Sequence, residues 1–209
     1  MSKDVIIIGA GGHAKVIADI VLCSGDNLIG FLDDDARMQG MEVFKGYKVI
    51  GKISDYSQYS DKYFVVAVGD NRTRVKIVED HDNLKWYTAI HPDAVISDTA
   101  KIGEGSVVMA GAVINPDTII GKHCVINTSC SIDHDNKIGD FVHISPGAHL
   151  AGTVLVGDMS WICAGAIVIN NINITENVVI GAGAVVVSDL EKSGVYVGVP
   201  VKRIKQAVF

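Results

Sequence analysis

One histidine stands among carboxylates, in Asp133-His134-Asp135-Asn136, inside a long and regularly aliphatic segment. An imidazole has an unperturbed pKa of about 6.5, so near neutral pH it can take up a proton and return it. Set beside an attacking amine or hydroxyl, such a base typically contributes about 10²–10⁴ in rate. The adjacent Asp135 would hold the tautomer and stabilise the imidazolium. The pair suits acyl transfer from a thioester, where the nucleophile loses its proton as it attacks the carbonyl and no covalent intermediate is needed. The oxyanion that develops requires N–H donors, and Gly152, eighteen residues beyond His134, is a candidate. The competing reading of His134 is an ordinary hydrophilic corner residue. His143 has Trp161 eighteen residues on, so ring packing competes with a role in chemistry. His149 lies one hexad beyond, on another face, where a structural role competes equally, and His123 and His81 have no motif around them.

A second cluster suits anion binding. Gly9-Ala10-Gly11-Gly12-His13-Ala14 follows the apolar run Val5–Ile8 and precedes Val16, Ile17, Ile20 and Val21 at helical spacing. A glycine turn lets a ligand approach N–H groups at a helix N-terminus, where the dipole favours a diphosphate. Asp33 and Asp34 end a strand expected near Leu28–Leu32 and offer acceptors to a ribose or base edge. Gly69-Asp70-Asn71 ends another, expected at Tyr63–Val68. A helix through Arg74–Asp80 and a strand at Leu84–Thr88 complete the unit. Strands alternating with helices imply a parallel sheet whose carboxyl edge gathers these three loops. About ninety residues supply one βαβαβ half, which fits a nucleotide sugar better than a dinucleotide; a tight turn with no ligand is the plain alternative.

The elements that position His134 are more regular still. From Ile96 to Val186 every sixth residue is Ile, Leu or Val, and the position two before is usually small. No helix and no simple strand has this period; short strands alternating with corners do, which is the pattern of a parallel β-helix. Gly103, Gly121, Gly139 and Gly157 recur at eighteen, as do Gly147, Gly165 and Gly183. Three hexads therefore make one triangular coil, and residues i and i+18 stack about 4.8 Å apart. Both glycine series are expected at corners whose backbone geometry resists a side chain. The expected division is an α/β Rossmann-like domain over residues 1–90 and a β-helix with a C-terminal tail over 91–209.

A net charge of −6 and a pI near 5.6 argue against nucleic acid, and no basic run suggests a membrane surface. The longest apolar run is far too short for a signal or a span. Cys23, Cys124, Cys130 and Cys163 show no CxxC spacing, and Cys124 and Cys130, at the small inward-leaning hexad position, are expected to be buried thiols of a cytoplasmic protein rather than a disulfide or metal site.

Together Ile8-Gly9-Ala10-Gly11-Gly12-His13, Phe31-Leu32-Asp33-Asp34, Ala67-Val68-Gly69-Asp70-Asn71, the hexads, Ile132-Asp133-His134-Asp135 with His143, and Gly194 to Arg203 resemble bacterial sugar acyltransferases of the sialic acid O-acetyltransferase (NeuD-type) family. That group also contains N-acetyltransferases acting on UDP-4-amino sugars. The resemblance covers essentially the whole chain and implies a left-handed β-helix joined to a small Rossmann-like domain. It implies His134 as general base with Asp135 beside it, where the relatives acting on UDP-4-amino sugars carry Glu. It implies His143 near acetyl-CoA, with Gly152, Ala164, Ala182 and Pro200 completing that site. Gly9, Gly11, Gly12, His13, Asp33, Asp34, Gly69 and Asn71 would form the nucleotide-sugar site. A homotrimer with active sites between subunits is implied, with acetyl-CoA as co-substrate and no metal.

The expected activity is acetyl-CoA-dependent N-acetylation of a UDP-linked 4-amino sugar, with O-acetylation of sialic acid or another sugar as the alternative. A zinc lyase needs three nitrogen ligands, and no two histidines here are eighteen apart to stack on one face. A non-catalytic nucleotide-sugar sensor would bind without thioester turnover. An NAD dehydrogenase would leave the second domain without a role.

Overall fold

The computed structural model describes residues 2–205; the last four residues of the expected tail lie outside them. The chain divides after Pro92 into two compact units.

In the first unit, β1 (Asp4–Ile8) is flanked in parallel by β2 (Asn27–Leu32) and later by β5 (Tyr63–Val66). Val5 to Ile8 are fully buried, as a central parallel strand covered on both faces must be. Ile6 and Ile8 pack with Phe64, Val66 and Ile77. The helix α1 (Gly12–Cys23) buries Ala14, Ile17, Ala18, Ile20 and Val21, the stripe its spacing predicts. The sheet order is β3-β4-β2-β1-β5-β6, with β3 at Glu42–Phe44, β4 at Tyr47–Gly51 and β6 at Lys85–Trp86.

Four details differ from expectation, one being that the strand expected at Leu84–Thr88 covers only Lys85–Trp86. The strand ending near Val68 stops at Val66, and the second helix, α2 (Asn71–Glu79), starts three residues early. Asp70 causes the early start, since its carboxylate accepts the Thr73 N–H at 2.8 Å and caps the helix. An unforeseen hairpin, β3 (Glu42–Phe44) and β4 (Tyr47–Gly51), extends the sheet edge. It turns through Lys45 and Gly46, both at positive φ, which matches the twist of paired strands.

In the second unit two-residue strands form three parallel faces in which residue i pairs with i+18. One face runs Val107, Val125, His143, Trp161, Val179. The next runs Val95, Val113, Ser131, His149, Ile167, Val185. The third runs Lys101, Ile119, Lys137, Leu155, Asn173. The hexad aliphatics from Val108 to Val186 fill the interior. Where the small hexad position is polar, its side chain bonds a carbonyl fifteen residues on: Ser106 to Gly121, Thr118 to Asp133, Asn136 to Ala151 and Ser160 to Thr175. Each is fully buried, and the bond offsets the cost of removing a polar group from water.

Every sixth residue from Gly105 to Gly183 is left-handed, with φ between 52° and 71°. This corrects the reading of the glycines. Gly147, Gly165 and Gly183 occupy such corners, but Gly103, Gly121, Gly139 and Gly157 do not. A Cβ at any of these last four would run into backbone of the coil above, so close approach is their reason. The other left-handed corners carry side chains, Asp117, His123, Ser129 and Asp135 among them.

Candidate active site

His134 and Asp135 form the corner between strands Ser131–Ile132 and Lys137–Ile138. Asp135 is the left-handed residue there (φ 59°), a conformation that Asp tolerates better than most. The geometry turns its carboxylate back onto the preceding imidazole, with Nδ1 of His134 2.7 Å from Oδ2 of Asp135. Asp133 accepts the His134 N–H at 2.8 Å and the Asn115 side-chain amide at 2.8 Å. Asn115 lies one coil below Asp133; the spacing of eighteen was the available signal for this support, and the sequence reading missed it.

The His134 side chain is 56% exposed. Its pKa is raised above the ordinary value, first by the hydrogen bond to Asp135, with both aspartates adding attraction for the imidazolium. With Nδ1–H donating to Asp135, Nε2 is the basic nitrogen. The ring lies on Gly152, where an added Cβ would sit 2.6 Å from both Cε1 and Nε2. Gly152 thus supplies the flat space that the ring occupies. Two grooves flank this corner. One, of about 380 Å³, takes in Asn115, Ser131, Asp133 and His149; the other, of about 460 Å³, takes in Asp117, Asp135, Thr153 and Asn171. Ser131 Oγ lies 2.8 Å from Nδ1 of His149, a polar pair in the first groove. In a histidine NMR titration, His134 should titrate above the unperturbed value and Asp135→Asn should move it down, because the anion favouring the imidazolium is gone.

His143 lies on a different face from the His134 corner, and one chain does not bring the two together. It is buried and stacks on Trp161 with centroids 5.4 Å apart and planes 6° off parallel. Its Nε2 meets the Asn127 amide at 3.3 Å. Ala164 and Ala182 lie exposed in one column, on the corners that follow this face, and Pro200 is exposed in a turn. Cys124 and Cys130 are buried as expected, whereas Cys23 is exposed and Cys163 half-buried. Cys23 is the last residue of α1.

In the first unit the loops after β1, β2 and β5 meet at one sheet edge. Asp33 joins two of them, accepting the Ala10 N–H at 2.8 Å and the Asp35 N–H at 2.8 Å. Asp34 accepts the Ile53 N–H. Gly9 has φ 103° and approaches the Ala67 carbonyl, a position with little room for a side chain. Gly11 and Gly12 face open space, and no side chain caps the start of α1. His13 is mostly buried, and its Nε2 has no hydrogen-bond partner among the described residues. Burial and then the nearby Arg74 push its pKa down to about 4, so it is neutral at pH 7. Arg74 is itself buried and donates to the carbonyls of Val68 and Gly69 and to Oδ1 of Asn71. Asn71 therefore braces the loop from beneath.

Comparison with known proteins places these features in one lineage. Residues 4–81 match the family described as PglD N-terminal domain, and residues 99–134 match bacterial transferase hexapeptide (six repeats). The acetyltransferase domain of PglB from Neisseria gonorrhoeae FA1090, solved with acetyl coenzyme A, is 38% identical with a TM-score of 0.91, over 98% of this chain and 100% of that one. PerB from Caulobacter crescentus, solved with CoA and GDP-perosamine, is 37% identical with a TM-score of 0.90, over 96% and 97%. UDP-N-acetylbacillosamine N-acetyltransferase of Bacillus subtilis (strain 168) is 38% identical over 114 residues, 52% of each chain. The chain spans about half or less of the length of the curated relatives it matches, 52% and 21%. With the glycine turn, the hexads and near-complete structural coverage at 38% identity, the chain belongs to the family of hexapeptide-repeat sugar acetyltransferases that carry a PglD-type N-terminal domain.

Proposed function

We propose that this chain transfers an acetyl group from acetyl-CoA to the amino group of a nucleotide-linked amino sugar, with a UDP-linked 4-amino sugar as the preferred acceptor. The observation that carries this reading is the His134–Asp135 corner, an exposed imidazole held through Nδ1 with its basic Nε2 lying over a glycine. In this reading the sugar amine attacks the thioester carbonyl while Nε2 of His134 takes its proton. The C–S bond then breaks and the thiolate of CoA leaves. Asp135 holds the tautomer, and the Gly152 N–H serves the oxyanion. The start of α1, which no side chain caps, receives the diphosphate, and neutral His13 supplies a hydrogen bond there without adding charge. Asp33, Asp34 and Gly69 shape the nucleoside end.

His143, Ala164, Ala182 and Pro200 belong to the acetyl-CoA side. Their separation from the His134 corner within one chain supports a homotrimer in which neighbouring β-helices complete each site. Exposed Ile119, Leu155 and Ile167 on the two faces meeting at His134 provide apolar surface for that contact. The GDP-perosamine bound to PerB favours a second reading, a GDP-linked acceptor.

The test follows CoA thiol release from acetyl-CoA with UDP-4-amino-4,6-dideoxy sugars, GDP-perosamine, and free or CMP-linked sialic acid. Turnover with the UDP amines is expected. Turnover with GDP-perosamine alone would move the nucleotide to guanosine, and turnover with sialic acid alone would overturn N-acetylation.

A further inference from the structure

Away from these sites, α1 and the last residues of its unit bring three metal-ligating side chains together. Asp19 and Cys23 stand one helical turn apart, on the same side of α1. Ser24, the next residue, donates from Oγ to the Ile20 carbonyl at 2.8 Å and is within 3.0 Å of the Ile90 carbonyl. That link holds His91 against the C-terminal end of the helix. One carboxylate oxygen of Asp19, the sulfur of Cys23 and one ring nitrogen of His91 all lie within 4.8 Å of one another.

We propose that Asp19, Cys23 and His91 bind one borderline divalent ion of the zinc class. A thiolate with an imidazole selects such an ion over magnesium or calcium, which prefer all-oxygen shells. Around a tetrahedral ion with bonds of about 2.0–2.3 Å, ligand atoms stand roughly 3.3–3.8 Å apart. The three side chains need to close by roughly 1.5 Å at most, and none is fully buried, so rotamer adjustment suffices. Cys23 ends α1, where the helix dipole places partial negative charge, and no basic residue occupies the last turn. The nearby cation is Lys45, whose Nζ lies 3.0 Å from Oδ1 of Asp19 and would compete with a metal for that carboxylate. Three protein ligands leave a fourth position for water, so the site is open and weaker than a closed four-ligand one. Binding would couple the end of α1 to the segment at Ile90–His91 and raise the unfolding temperature as free metal rises above Kd.

The test titrates the full chain with Co²⁺ and follows the thiolate-to-cobalt charge-transfer absorption. One equivalent per chain is expected, displaced by Zn²⁺. Cys23→Ser should abolish the band, and Asp19→Asn and His91→Gln should each weaken binding at least about tenfold. Lys45→Gln removes the competing cation without removing a ligand and should tighten binding. Absence of the band in the wild-type chain would overturn the site, as would a band that survives Cys23→Ser. Affinity indifferent to both Asp19→Asn and His91→Gln, in variants whose circular dichroism matches the wild type, would overturn it equally.

Discussion

His134→Ala should lower turnover of acetyl-CoA with the amino-sugar acceptor by about 10²–10⁴ and leave the fold and assembly unchanged. The side chain is more than half exposed, and its bonds run to its own neighbours Asp133 and Asp135, so no packed core depends on it. The wild-type pH profile provides an independent check. Only the neutral imidazole can accept the proton, so kcat/KM should fall as pH drops through the His134 pKa. That pKa lies above 6.5 because Asp135 stabilises the imidazolium. The residual activity of His134→Ala should lack this acid limb. Near-normal turnover would remove His134 from the chemistry. Sedimentation and circular dichroism separate the expected loss from misfolding.

The regular parts were legible because each hexad position reports one physical demand. The aliphatic residue points inward and the residue two before it is usually small, which reveals coils, faces and the i+18 register without any structure. The left-handed corners were not legible in the same way. Phe141, Met159 and Thr153 adopt them although their side chains give no hint, since the ladders on either side over-determine the turn. Glycine recurrence therefore mixed two causes that only coordinates separate: left-handed φ at Gly147, and close backbone approach at Gly157. At the site, the His134–Asp135 pair was visible as adjacent residues, whereas Asn115 supports it through stacking across coils. The hairpin at Glu42–Gly51 escaped because its strands are short and its apolar alternation is weak, with only Val43 and Val49 buried. Asp19 and Cys23 stand one helical turn apart, but His91 is distant in sequence, and only the closing of the unit brings it to them.

Gly152→Ala should cost about 10² in turnover with little loss of stability. A β-carbon at this position would meet Cε1 and Nε2 of His134 at 2.6 Å, well inside van der Waals contact. What it strikes is the tip of an exposed side chain, so the ring moves and the coil stays. The Gly152 carbonyl keeps its bond from the Asn171 N–H, and Gly152 is absent from the positive-φ positions, so alanine is not strained there. The ring cannot shift without weakening its bond to Asp135 or carrying Nε2 away from the attacking amine. A displacement of about 1 Å in a reacting group is enough for about 10² in rate. The backbone N–H survives the substitution, so a large loss would trace to the position of the imidazole rather than to a missing donor. In Gly152→Ala the His134 pKa, read by NMR, should also fall toward the unperturbed value as the Asp135 bond lengthens. Full activity with an unmoved pKa would mean that the imidazole does its work in another rotamer, away from Gly152.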